Sequence, residues 1–340
     1  MTQLVLHTGT PLTRQVDVQT QLVTWREALT KAGVILHPQD RIETWDTAVK
    51  QLVTGDAPPQ VRKLVRQSSK FGARAVVLSS EDAYRPLRKA RNVTRLADLG
   101  SASDVEVTVV LVVREQLELL NALYCRQVMS MDTAEDFASF VAKGIDSGLY
   151  HYAQAFRRLL DAEDVHLVAV PFSALSGREP ARAILQASGV PAETLDGLPD
   201  SPDPAATTDE SVGPILLAAT RLLHKRLIRL KAGRVRRPGA LDRAVDILRE
   251  QARANDWDDR TFWGWTPELA ALGAQAFHLG NAEFAAGAWR SDWPDASPTH
   301  SYTRGDLASR GPAVVVDVMD TVQRALDDLM KKPGKASERE

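Results

Sequence analysis

From Val105 to Val113 the chain reads Val-Glu-Val-Thr-Val-Val-Leu-Val-Val, with Glu106 as its one charged residue. β-Branched side chains suit the pleated surface of a sheet, and a strand without a polar face must be covered on both sides. Such strands belong to parallel sheets, where each strand reaches the next through a crossover, usually a helix. The remaining sequence has to supply those strands and crossovers.

It does so in order. Leu4–His7 is an apolar run that ends at Gly9-Thr10-Pro11, a strand entering a turn. Val18, Leu22, Trp25, Ala28, Leu29 and Ala32 recur at three- and four-residue spacing, which predicts one amphipathic helix from Val18 to Ala32, ended by Gly33. Val34–Leu36 reads as a second strand, closed by Pro38, and a helix is expected from about Pro59 to Phe71. Ala75–Leu78 reads as a buried strand running into Ser79-Ser80-Glu81. Helical patterns lead into Val105 and fill Glu115–Met131 and Thr133–Leu160, and Val165–Val170 is the fifth strand. This alternation predicts a three-layer α/β fold: a central parallel sheet of about five strands with helices on both faces. Ligands of such folds sit outside the carboxyl ends of the strands. That rule selects His7–Gln15, Ser79–Tyr84 and the surroundings of Arg114.

The rest is expected to be mainly helical. Asp196–Glu210, rich in Pro, Asp, Ser and Thr, reads as an exposed loop. Helices are predicted near Ser211–Ala232, Leu241–Ala254, Glu268–Trp289 and Pro312–Met330, and Lys331–Glu340 reads as a disordered tail. The expected organisation is one domain over residues 1–330, with 211–330 as its helical part.

Composition excludes several function classes. A net charge of -2 gives no overall attraction to nucleic acid or anionic membrane. Cys125 stands alone, which rules out an internal disulfide or a multi-thiolate zinc site, and the scattered histidines predict no metal. No run approaches a membrane span, and the first residues lack the pattern of a secretory signal, so the expected location is cytoplasmic. Arg221–Arg237 carries eight Lys and Arg residues with His224 and no acid, along an apolar stripe of Leu223, Leu227 and Leu230. A solvated helix face, an anion-recognising surface and a nucleic-acid patch are the three readings, and the lack of interleaved aromatics weighs against nucleic acid. Trp257, Phe262, Trp263, Trp265, Trp289 and Trp293 either close a helical part against the sheet or line a pocket for a flat or sugar acceptor.

His7-Thr8-Gly9-Thr10-Pro11-Leu12-Thr13-Arg14-Gln15 joins a strand to a helix, the setting in which backbone N–H groups and a helix N-terminus cradle phosphate. The Gly-Lys-Ser/Thr of nucleotide P-loops is absent. A plain strand-to-helix turn is the alternative. The stretch His7–Pro38 resembles the opening of bacterial sulfotransferases, which typically read His-Ile-Gly-Thr-Pro-Lys-Thr-Gly-Thr-Thr. His7, Gly9, Thr10, Pro11, Thr13, Gln19, Leu22, Arg26, Leu29, Gly33, Val34 and Pro38 fall in register with it. Ser79-Ser80-Glu81, Val109–Arg114 with Gln116 and Tyr124, Pro171-Phe172, and Asn281 before a Phe-Ala-Ala run are similar to later family features. The resemblance covers about the first 190 residues well and the remainder loosely.

The resemblance implies a P-loop sulfotransferase fold and an enzyme that moves a sulfuryl group from 3′-phosphoadenosine 5′-phosphosulfate (PAPS) to a hydroxyl or amine. The acceptor would be a small molecule or a glycan. On that implication Gly9, Thr10, Pro11 and Thr13 hold the phosphosulfate, Arg114 holds the 3′-phosphate, and Glu81 or His7 takes the acceptor's proton; Arg14, outside the family pattern, is a further candidate for the phosphosulfate. The bland alternatives are that Glu81 satisfies a helix start capped by Ser80, and that His7 is hydrogen-bonded in the core. The departures concern the same site: Leu12 replaces the lysine, Arg14-Gln15-Val16 replaces Gly-Thr-Thr, and Ala122 replaces a serine. Loss of a charge-stabilising donor costs about 2.7–4 kcal/mol in the transition state. Two readings follow. Arg14 supplies the missing cation, or the chain is a catalytically degenerate relative that binds another anionic ligand or serves as an interaction module.

Overall fold

The computed structural model describes residues 2–37, 42–56, 59–68, 70, 72–175, 177, 179–200, 212–230, 239–258, 260–293, 301–303, 307 and 310–330. Pro38, Phe71, residues 201–210 of the anticipated loop, Lys231–Arg237 of the basic run and the Lys331–Glu340 tail lie outside them. The chain forms two compact units, each assembled from separate stretches. The first holds Met1–Leu119, Ser147–Ala206 and Ala274–Ser297; the second holds Leu120–Asp146, Thr207–Gly273 and Pro298–Glu340.

The first unit is built on five parallel strands, β1 (Thr2–Gly9), β2 (Val34–Leu36), β3 (Ala75–Ser79), β4 (Val105–Val113) and β5 (Val165–Pro171), in the order β2-β3-β1-β4-β5. The fold is α/β with helices flanking the sheet, as the sequence predicts. β1 is central, with Leu4, Val5 and Leu6 fully enclosed. In β4 every residue except Glu106 is buried, the outcome expected of a strand with no polar face. Val5, Val77, Val110 and Val112 pack in one cluster with Val18, Leu22, Trp25 and Leu29, so the apolar stripe after β1 covers the sheet.

That stripe is carried by two helices where the spacing predicts one. α1 (Gln15–Thr24) and α2 (Arg26–Lys31) meet at Trp25, whose ψ of 2° leaves the helical range while its indole N–H donates to the Pro199 carbonyl at 2.8 Å. The stripe survives because backbone hydrogen bonds still run from Trp25 to Gln21 and from Leu29 to Trp25. α3 (Ile42–Thr54), unanticipated in the sequence, precedes α4 (Pro59–Ser68), and α5 (Ala90–Ser103) leads into β4. α6 (Gln116–Met129) follows β4. The predicted Thr133–Leu160 helix is divided into α7 (Phe137–Asp146) and α8 (Tyr152–Leu160), with Gly148 at φ 65° in the break. α9 (Pro180–Ala187) and α10 (Ala192–Asp196) follow β5 and were also not foreseen.

In the second unit α11 (Pro214–Arg229) and α12 (Ala240–Ala254) pack with α14 (Pro312–Met330); α13 (Pro267–Ala288), between α12 and α14 in sequence, belongs to the first unit from Ala274 onward. The start of α11 is closed from outside the helix. Asp258 accepts the N–H of Ile215 at 2.7 Å and of Leu216 at 3.1 Å. Gly213 permits this, since a Cβ there would lie 2.0 Å from the Asp258 carboxyl carbon. Among the described residues no helix is long and apolar enough to cross a membrane.

Candidate functional site

The three segments picked from the sequence leave the sheet side by side. β1 pairs with β3 on one side and β4 on the other, with His7 opposite Ser79 and Gly9 opposite Val112. In a parallel sheet this places Thr10–Arg14, Glu81 and Arg114 at one carboxyl edge, on three adjacent strands of one unit.

The loop after β1 is fixed from below. The Thr10 N–H donates to the Val112 carbonyl at 2.9 Å, one step past the strand. The Thr13 hydroxyl donates to the Thr10 carbonyl at 2.8 Å. This turn explains Gly9, because a Cβ there would lie 2.1 Å from the Thr13 hydroxyl oxygen. Beyond it the sign of φ alternates: Leu12 and Arg14 are positive at 65° and 57°, while Thr13 and Gln15 are not. Successive residues of opposite hand turn their N–H groups toward one concave face and make an anion-binding nest. Among the described residues no acceptor meets the N–H groups of Leu12, Thr13, Arg14 or Gln15. α1 begins here without a side-chain cap, so the positive end of its dipole adds to the same place.

Both arginines brace the loop. Arg114 is 8% exposed; it donates to the Leu12 carbonyl at 3.1 Å, lies 3.6 Å from Glu118 and sits over the Phe172 ring at 4.4 Å. Arg14 pairs with Asp17 at 2.8 Å and donates to the carbonyls of Gly177, at 2.8 Å, and Leu175. Its guanidinium thus ties the loop to the segment after β5. Leu12 is half-buried and Val16 is 63% exposed.

His7 lies below the loop and is fully enclosed. Its Nδ1 is 2.9 Å from the Ser79 hydroxyl, and burial pushes its pKa down to about 3, so it is neutral. Gln15 donates to the same hydroxyl at 2.5 Å and Gln19 to the Ser79 carbonyl at 2.9 Å, which locks α1 onto the end of β3. Glu81 opens a short 3-10 turn, Glu81–Ala83, at whose N-cap position Ser80 makes no side-chain capping hydrogen bond. The Glu81 N–H donates to Asp46 of α3 at 3.1 Å, so the capping carboxylate comes from a helix the sequence reading had not placed.

Several residues of this edge were missed. Tyr152 donates to the Arg114 carbonyl at 2.5 Å and is also hydrogen-bonded to Thr10, while burial holds its phenol far above the usual range. Glu115, directly after the strand-ending arginine, accepts the Glu118 N–H at 2.9 Å, and burial raises its pKa. That cap left no clear signal, since glutamate is not among the residues that mark a helix N-cap. Tyr152 left no signal, since a lone tyrosine in a helical pattern reads as core. Gln116 and Asn281, both among the resembling positions, form a buried reciprocal amide pair, with Asn281 donating back at 3.0 Å. Compared with protein-family models, curated proteins and solved structures, the chain finds no significant match in any of the three.

Proposed function

We propose that this chain is a sulfotransferase-like protein that binds a phosphorylated nucleotide of the 3′-phosphoadenosine type on the Thr10–Gln15 backbone and transfers little or no sulfuryl group. The observation that carries this reading is the row of four N–H groups without acceptors, set by alternating φ in a loop with no glycine at its left-handed positions. A left-handed conformation costs a non-glycine residue about 1–2 kcal/mol. A simple turn would not need it twice, at Leu12 and Arg14, and such strain gathers where a ligand is held.

The argument against turnover is one of charge. Sulfuryl transfer leaves negative charge on the bridging phosphate oxygen, and Leu12 offers no cation. Arg14 and Arg114 are engaged with carboxylates and carbonyls, and His7 is enclosed and neutral. Removing one such donor typically lowers turnover by about 10²–10³. The transferase reading rests on Arg14, a loop residue whose guanidinium would have to leave Asp17 to reach the leaving oxygen.

Calorimetric titration with PAPS and with its desulfated product, beside a sulfate-transfer assay on small-molecule and carbohydrate acceptors, separates these readings. We expect one-to-one binding of both nucleotides with similar affinity and no measurable turnover. Turnover that falls about a hundredfold in Arg14→Ala would establish the transferase instead. Absence of binding by either nucleotide would overturn the proposal.

A further inference from the structure

A second candidate site lies in the other unit and stands independently of the loop. A cavity of about 170 Å³ is lined by Tyr124, Phe137, Phe262 and Tyr302, with Leu217 and Arg221 contributed by α11. A cavity of roughly 150 Å³ suffices to take up benzene, so one six-membered ring fits here. The ring walls are mutually packed, with centroids 5.2 Å apart for Tyr124 and Phe137 and 5.8 Å apart for Phe137 and Phe262.

The backbone behind these rings is held by side chains spent on that task. Asn121 donates to the Phe262 carbonyl at 3.1 Å and accepts the Gly264 N–H at 2.9 Å. Thr303 accepts the Trp263 N–H at 2.6 Å while its own N–H donates to the Trp263 carbonyl at 2.9 Å. The Tyr124 hydroxyl donates to the Glu135 carbonyl at 3.0 Å and is thereby used. Two polar groups of the lining are not. Arg221 makes no hydrogen bond or close ion pair among the described residues, although Asp136 lies near enough to feel its charge, and its Nε is buried without a partner. Tyr302, 46% exposed, stands at the rim with no partner for its hydroxyl among the described residues.

A braced aromatic slot sized for one ring, with an uncommitted guanidinium on its wall, has a complementary ligand. We propose that this cavity binds a single-ring aromatic anion, the ring against the wall of Tyr124, Phe137 and Phe262 and the anionic group on Arg221. Arginine suits that role because its planar fork meets two oxygens of a carboxylate, sulfate or phosphate at once.

Benzoate is the probe, with phenol and acetate as its two halves, titrated into the full chain by calorimetry. We expect benzoate to bind one-to-one with a Kd on the order of 1 mM or tighter, and each half at least tenfold more weakly. Arg221→Gln should weaken benzoate about tenfold or more and leave phenol unchanged. Ala218→Leu, which fills the lining, should weaken both ring ligands. Acetate binding as tightly as benzoate, or benzoate binding undiminished in a folded Arg221→Gln protein, would overturn the assignment. Should Arg221→Gln fail to fold, undiminished benzoate binding in Ala218→Leu would do so alone.

Discussion

His7 shows how one residue's surroundings set its chemistry. The sequence offers it as a base at a strand end, but its ring is sealed beneath the loop against Ser79. Burial moves its pKa from the ordinary 6.5 to about 3. Between those values the unfolded chain takes up a proton that the native chain refuses. His7 therefore favours the fold in full above pH 6.5, and this contribution is lost progressively as the pH falls toward 3, by up to about 1.4 kcal/mol per pH unit. Urea unfolding at pH 7, 6 and 5 should show wild type losing more stability than His7→Gln, by a margin that widens with acidity. A margin independent of pH would mean that His7 is not buried as a neutral ring. Polar residues at the site were legible by type and place, whereas their partners were not. Arg14 reads as a cation beside a phosphate, and only the fold reveals that Asp17 and two carbonyls after β5 hold it.

Among the elements, the strands were the most legible because each is an apolar run bounded by turn residues. All five predicted strands are present, to within two residues at their ends. The helices were less so, since an apolar stripe records which face is buried and not whether the backbone is continuous beneath it. Trp25 belongs to the stripe and also ends a helix; Gly148, by contrast, was a visible break in the predicted Thr133–Leu160 helix. The start of α11 depends on a residue from a distant segment, and this too left no local mark. Replacing a capping Asp with Ala costs about 0.5–2 kcal/mol. Asp258→Ala, which strands the Ile215 and Leu216 N–H groups together, should fall near the upper end. Chemical denaturation measures this, and a change under about 0.5 kcal/mol, the scatter of a neutral surface substitution, would show that water replaces the carboxylate.

For the molecule as a whole, the division into units is not one of sequence. The first unit takes Ala274–Ser297 from far along the chain, and with it Asn281 for Gln116, Phe284 for the rings of Tyr152 and Phe156, and the Trp289 indole that donates to the Ala169 carbonyl at 2.7 Å. A fragment of residues 1–206 should therefore lack a cooperative unfolding transition, although it contains the whole sheet. Losing a core Phe alone costs about 3–5 kcal/mol from a total stability of about 5–15 kcal/mol. A sharp transition in that fragment, followed by near-ultraviolet circular dichroism, would contradict this. The central position of β1 has a consequence in time. Its neighbours, β3 and β4, are written later in the message, and at about 5–20 residues per second Val113 leaves the peptidyl-transferase centre about 5–20 s after Gly9. Through that interval Leu4, Val5 and Leu6 lack at least one of their two partner strands, so the nascent chain is expected to lean on a ribosome-associated chaperone before the loop that β1 carries can take its shape.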